Sequence, residues 1–258
     1  MKAVVLFSGG ADSFLQYTIS KKEYDEVIPL FIAHDNTRLA HDYKAAMALL
    51  GEQELRTVMV TYPEPMGVNA FVPFRNYRMV FDALTEIPDA DAVLVAGIQD
   101  DRVGDKTPEA FSALTALLNA SGLEKDVLVK SDLFHHTKGM VYKSIMQYAE
   151  DSNTHPIPLS CYSTEEERCG HCKACIRTAI GIVNGVDLFW RDLVPEEHVT
   201  KVVLRELRNS TPFGLTQELL ERAYRSSTVQ AYLKEIPQTS NRWREVSRFD
   251  YLGQLLLG

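Results

Sequence analysis

Two short stretches of this chain hold residue types that can do chemistry. Residues 8 to 13 read Ser-Gly-Gly-Ala-Asp-Ser, directly after the apolar run AVVLF and before sequence with helical spacing. A glycine turn between a strand and a helix start is an anion cradle, because backbone N–H groups converge there and the helix terminus adds roughly half a positive charge. Gly9 and Gly10 can take positive φ and have no Cβ, so their amides can approach a phosphate closely. The hydroxyls of Ser8 and Ser13 add further donors. Asp12 is the odd member, since a carboxylate beside a bound anion repels it. It makes sense as a ligand of a magnesium ion or as a helix cap. No GK[ST] follows and no GxGxxG is present, so this is neither a Walker loop nor a dinucleotide fingerprint. The bland alternative is a tight turn with a serine cap.

The second stretch is CYSTEEERCGHCKAC, which holds all four cysteines: Cys161, Cys169, Cys172 and Cys175. Four thiolates with two CxxC steps suit a closed, tetrahedral, structural zinc site. Gly170 relieves crowding in the first knuckle. His155 and His171 stand nearby as substitute ligands. A disulfide pair and a four-cysteine iron–sulfur cluster are the alternatives.

These stretches need elements to hold them. Short β-branched runs at 3–7, 27–32, 55–60, 92–97 and 126–130 alternate with helical patterns at 13–22, 38–50, 74–86, 108–121 and 138–149. Thr107 followed by Pro108 and Glu109 is a helix start with its cap. Near-continuously apolar strands alternating with helices indicate a parallel sheet covered on both faces, a doubly wound α/β fold. In such folds ligands sit at the carboxyl ends of the strands, where the glycine turn falls. After residue 150 the chain becomes polar and cysteine-bearing, and from about 196 helical again. The expected organisation is therefore an anion-binding α/β domain over 1–150, a zinc-binding segment over 151–195 and a helical extension over 196–258.

The bulk composition bounds the partners. Of 258 residues 45% are hydrophobic and 24% charged, as in an ordinary soluble globular protein. No run of 18 apolar residues offers a membrane span, and MKAVVLF is too quickly broken to serve as a secretory signal, so the expected place is the cytoplasm. The net charge of −8 argues against direct nucleic-acid binding through phosphate neutralisation. From Lys201 onward nine basic against six acidic residues leave the tail at +3 and the rest at −11, given that net −8. A solvated helical surface explains that tail, with a homodimer or partner surface as the alternative.

SGGxDS resembles the PP-loop of the ATP-pyrophosphatases, which cleave ATP between the α- and β-phosphates. Some of those enzymes transfer sulfur to tRNA, but zinc would consume every cysteine here and leave no thiol for a persulfide. Taken together, the two stretches resemble the 7-cyano-7-deazaguanine (preQ0) synthase family, QueC, with its SGGxDS turn and later CY…CGxCxxCxxR segment. Here the latter reads SCYSTEEERCGHCKACIRTAIGI, with Tyr162 and Arg177 in the matching places. FVPFRN (71–76) resembles the family's VPxRN tract, and HTKGMV (136–141) its lysine-bearing segment. The resemblance covers about residues 1–186 and implies an adenine nucleotide alpha-hydrolase-like sheet.

It also implies a reaction. ATP adenylates the carboxylate of 7-carboxy-7-deazaguanine with release of pyrophosphate, ammonia gives the amide, and a second activation dehydrates it to a nitrile. Ser8, Gly9, Gly10, Asp12 and Ser13 would hold the ATP phosphates with Mg2+. Arg75 and Lys138 would stabilise charge at phosphorus, and Asn76 would contact nucleotide or backbone. Their bland readings are a surface arginine, an exposed lysine and a helix-turn asparagine. Zn2+ would sit on the four cysteines. The chain departs from the family at IAHDNTR, where a Gly-Gln-x-His tract is usual, and lacks the tryptophan before the first cysteine. At GIQDDRVGDKTPEAF it is shorter than GxNxxDxSGYPDCRPEF and lacks the Asp-Cys-Arg element, so 98–107 is where substrate choice would differ. Ammonia as acceptor gives the nitrile; an amine on a protein or other macromolecule, as in diverged defence-associated relatives, gives a stable amide. A non-catalytic nucleotide-binding module is the reading from another class.

Overall fold

The computed structural model describes residues 1–34, 39–51, 54–61, 72–99, 101, 104–152 and 178. One compact unit takes in Met1–Thr137 and Gln147–Ser160, the other Lys138–Met146 and Cys161–Gly258. Of the second, only Lys138–Met146 and Thr178 are among the described residues. All four cysteines lie outside them.

Five strands, β1 (Lys2–Leu6), β2 (Glu26–His34), β3 (Arg56–Val60), β4 (Ala92–Leu94) and β5 (Leu128–Lys130), form a parallel sheet in the order β3-β2-β1-β4-β5. The helices between them are α1 (Ala11–Glu23), α2 (Leu39–Leu50), α3 (Arg75–Glu86) and α4 (Pro108–Ala120), with α5 (Lys138–Ser152) following β5. This is the doubly wound α/β architecture expected from the alternating runs. Side-chain parity divides its faces. Val4, Leu6, Leu30 and Val93 pack with Val80, Ala83 and Leu84 of α3 and with Phe111, Leu114 and Leu118 of α4. The opposite face carries Phe7, edge-on to Tyr17 of α1, and Phe31, edge-on to Tyr43 of α2. Each fully buried aromatic of this kind is worth about 1.5–3 kcal/mol of transfer free energy.

A proline stands in the middle of this sheet, in β2, at no cost to the ladder. The N–H of Phe7 donates to the carbonyl of Leu30 at 2.8 Å, so Leu30 points its backbone groups at β1 and Pro29 points the other way, toward β3. Pairing with β3 begins only at Leu30, so the missing N–H of Pro29 faces no partner strand.

Two strands are shorter than their sequence suggests: β4 ends at Leu94 where 92–97 reads as strand, and β5 begins at Leu128 rather than 126. Before β5, the Val127 N–H donates to Asn119 Oδ1 at 2.9 Å. Beyond β4, Ser131 takes over. Its buried hydroxyl accepts from Gly97 N–H at 3.0 Å and is placed to donate to the Gly97 carbonyl at 2.8 Å. One side chain thus takes both backbone groups that a neighbouring strand would otherwise use.

Candidate functional site

The sheet order reverses between β1 and β4: the chain moves outward from β1 to β2 and β3, then returns to the other side of β1. The crevice beyond the carboxyl ends of those two strands is the switch point where such folds bind ligands. One wall is the turn after β1, residues 7–10. The other is the connection after β4.

The turn after β1 is a tight and largely self-satisfied unit. Gly9 has φ +74°, where a side chain is disfavoured, and a Cβ there would lie 2.7 Å from the backbone nitrogen of Ala46 in α2. Gly9 is therefore required twice over, by its conformation and by the helix pressed against it. Gly10 differs from the expectation of positive φ: it is extended (φ −84°, ψ 163°) and is the N-cap of α1. Extended backbone is the ordinary cap conformation, which any residue adopts.

Ser13 is held inside the turn. Buried at the first turn, its Oγ accepts from Ser8 N–H at 3.2 Å, lies 3.2 Å from Ser8 Oγ, and is placed to donate to the Gly10 carbonyl at 3.0 Å. Its hydrogen bonds are spent closing the turn; the exposed Ser8 is the hydroxyl presented outward. Asp12 is half-buried in the first turn of α1, and the N-cap position itself is taken by Gly10.

Arg75 and Asn76 open α3. Arg75 is exposed and Asn76 buried. The residue before them, Phe74, is the only non-glycine with positive φ among the described residues (φ 55°) and lies stacked on Tyr77. It gives α3 no side-chain cap. That task falls to Asp105, 29 residues on, whose carboxylate accepts from Asn76 N–H at 3.0 Å and from Asn76 Nδ2 at 2.9 Å. A carboxylate at a helix start is favoured by the macrodipole as well as by the two hydrogen bonds.

The connection after β4 is braced elsewhere too. Lys106 Nζ lies 2.8 Å from the carboxylate of Asp101, whose side chain is only 4% exposed. Above Gly97 there is no room for a Cβ, with Phe134 at 2.8 Å and the Lys106 carbonyl at 3.2 Å. Thr107 caps α4 as its Thr-Pro-Glu sequence predicts, its Oγ1 accepting from Ala110 N–H at 3.1 Å.

Behind both walls runs a buried polar chain that sequence reading missed. Gln16 of α1, fully buried, donates through Nε2 to Asp132 at 2.7 Å and accepts at Oε1 from Asp132 N–H at 3.0 Å. Ser131, next to Asp132, holds Gly97 as described. The helix that starts at the glycine turn is thereby tied to the ends of β4 and β5. Nearby Lys130 titrates above its ordinary range: burial alone would lower it, but the Asp132 carboxylate at 2.6 Å and the Tyr24 hydroxyl outweigh that.

In the second unit, Lys138 is buried at the first residue of α5, its ammonium 5.6 Å from the Tyr142 ring centroid. Tyr142 in turn reaches Thr178, Oη to Oγ1 at 3.3 Å. The structure thus gathers Ser8, Gly9, Gly10, Asp12 and Ser13 in one turn and puts Arg75 and Asn76 at one helix start.

Fold and turn together define a class: a doubly wound α/β protein whose first helix opens on a glycine N-cap behind a turn at the switch point. Its sequence relatives narrow that class. The family model described as "Queuosine biosynthesis protein QueC" matches residues 61–184. The chain is 28% identical over 206 residues to a 7-cyano-7-deazaguanine synthase of Nitratiruptor sp., covering 68% of this chain and 90% of that one. It is 27% identical over 205 residues to the synthase of that name from Aliarcobacter butzleri, covering 67% and 87%. The chain is QueC-like. A solved U34-tRNA thiolase, NcsA of Methanococcus maripaludis with its [4Fe-4S] cluster, superposes at a TM-score of 0.38 with 12% identity, over 93% of this chain and 76% of that one.

Proposed function

We propose that this chain is an ATP-dependent, C–N bond-forming ligase of the QueC type, acting on 7-carboxy-7-deazaguanine or a related deazapurine carboxylate. The observation that carries this reading is the start of α1. Glycine backbone opens that helix at the switch point, with Gly10 itself the N-cap, in a chain whose relatives are 7-cyano-7-deazaguanine synthases. Such an N-terminus suits a bound phosphate.

A carboxylate is a poor electrophile until its oxygen becomes a leaving group. Its oxygen attacks the α-phosphorus of ATP, the bond to the β-phosphate oxygen breaks, and pyrophosphate leaves. Ammonia then attacks the acyl carbon, AMP departs with that oxygen, and a proton is lost. Repeating the activation on the amide oxygen expels a second AMP and leaves the nitrile. In this scheme the amides of Gly9 and Gly10 and the Ser8 hydroxyl hold phosphate oxygens, while Ser13 keeps the turn in shape. Asp12 is suited to hold Mg2+, whose positive charge would offset that of the phosphates. Arg75, and by the family resemblance Lys138, supply cationic charge for the phosphorus centre.

The donor set Cys161, Cys169, Cys172 and Cys175 fits Zn2+ in a structural role. The purified protein should contain one zinc per chain by metal analysis, and Cys172→Ser should lower that occupancy and destabilise the fold.

The test is mass spectrometry after incubation with ATP, Mg2+ and 7-carboxy-7-deazaguanine, with and without ammonia. Nitrile with AMP and pyrophosphate establishes the synthase. One specific feature favours a second acceptor: the tract 98–107 is shortened relative to the family's, on the wall opposite the glycine turn. On that reading AMP forms and the deazaguanine mass appears on a protein amine. Absence of AMP would overturn both versions and leave a nucleotide-binding module.

A further inference from the structure

We infer that Asp105 and Asn76 are a matched pair of positioning residues that fix the carboxylate-substrate wall of the switch-point crevice. This rests on the reaction proposed above and deepens it. Asn76 then serves the site through Asp105 rather than by touching nucleotide.

The argument begins with what occupies the start of α3. The backbone N–H and the side-chain amide of Asn76 both donate to the one Asp105 carboxylate. Asn76 is buried and Asp105 half-buried, so the pair is partly withdrawn from water, where charge-assisted hydrogen bonds gain strength. A phosphate cannot take those same donors without displacing a carboxylate and being repelled by it. The start of α3 is therefore filled.

The second part concerns what Asp105 carries with it. It lies in the single 3-10 turn Gly104–Lys106. The next residue, Lys106, is ion-paired with Asp101 and passes over Gly97 at the end of β4, and Thr107 caps α4. Asp105 thus joins α3, which follows β3, to the segment that closes the β4 side of the crevice. If ATP takes the β1 wall, the carboxylate substrate must approach its α-phosphorus from the β4 wall. Reacting atoms need placement to within a fraction of an ångström, so a wall residue that drifts is felt in substrate binding.

The pairing is reciprocal, which makes it testable by a swap. Asn76→Asp sets two carboxylates face to face, yet an acidic residue in a helix's first turn does not itself oppose helix formation. Asp105→Asn keeps one accepted hydrogen bond and loses the other. In the double variant Asn76→Asp/Asp105→Asn, the new amide at 105 accepts from the backbone N–H of residue 76 and donates to its new carboxylate, so both bonds return.

The readout is substrate-dependent ATP–pyrophosphate exchange, with KM measured separately for ATP and for 7-carboxy-7-deazaguanine, alongside the melting temperature. With hydrogen bonds to charged groups worth about 1.5–3 kcal/mol, the KM for the deazapurine acid should rise about tenfold in Asp105→Asn and about a hundredfold in Asn76→Asp. The double variant should return to within about threefold of the parent, while the ATP KM stays within about threefold throughout. If Asn76→Asp fails to fold, Asp105→Asn and the swap still decide. Single variants with unchanged KM for the acid overturn the inference, as does a parallel rise in the ATP KM, which would return Asn76 to the nucleotide side. A parent protein silent in exchange overturns the proposed reaction itself and takes the positioning role with it; that failure is told apart because the parent, and not only the variants, is inactive.

Discussion

The starts of α1 and α3 lie at the same edge of the sheet and are finished in opposite ways. α1 begins at Gly10, an N-cap residue without a side chain, behind a turn that Ser13 holds closed from beneath. α3 begins after a phenylalanine in left-handed conformation and receives its cap from Asp105 of a distant segment. Both ends carry the partial positive charge of a helix N-terminus. One is met by the protein's own carboxylate; the other opens on a glycine, and there we propose that an anion from outside binds. The difference teaches that a helix terminus is not a site in itself: what the fold has already placed there decides.

The comparison can be broken hardest at Gly9. Gly9→Ala puts a Cβ 2.7 Å from Ala46 N in a backbone region that alanine rarely adopts. Backbone strain and overpacking each cost about 1–3 kcal/mol, so a loss of about 2–6 kcal/mol is expected in chemical denaturation, together with loss of ATP-dependent activity. Ser13→Ala should act less severely. It strips the Ser8 N–H of its acceptor and the Gly10 carbonyl of a donor, for about 1–2 kcal/mol, and its ATP affinity should fall because the turn loses its shape.

Thr107→Ala supplies the contrast. It removes an ordinary cap, costs about 1 kcal/mol, and should leave the ATP affinity where it was. Equal losses of ATP affinity from Ser13→Ala and Thr107→Ala would erase the distinction between a ligand-ready terminus and a capped one.

The smallest effects belong to the opposite edge of the sheet. There the Met1 amine beside Asp25, the Lys2 ammonium beside Asp89, and the Lys2 backbone N–H with Lys125 beside Asp91 hold all three carboxyls below their usual range. A lowered folded value means stability that is present above about pH 3.9, the unfolded value, and is lost as pH falls through the folded one. These groups are exposed, so Asp91→Asn should blunt the acid end of a stability–pH curve only slightly, without changing ATP binding near neutrality.

Much of this architecture is written locally. Five apolar runs alternating with amphipathic stretches suffice for the sheet and its helices, because burial on both faces of a parallel sheet leaves few other patterns. The Thr107–Pro108 start is equally plain. The glycine turn could be placed, but not the division of labour within it: that Gly9 alone takes positive φ depends on α2 pressing against it. Contacts that close over long sequence separations were invisible. Nothing near Gln16 announces Asp132, 116 residues away. Nor does anything near Asn76 point to Asp105, 29 residues on.

The measurement that bears most directly on the central claim is residue-resolved amide NMR of the full chain during titration with ATP and Mg2+. The account predicts that the amides of Gly9, Gly10 and Ala11 shift and saturate together, while that of Asn76, held by Asp105, stays in place. A saturating shift at Arg75 and Asn76 with the glycine turn unmoved would contradict it, and would mean that the phosphates displace Asp105 from α3.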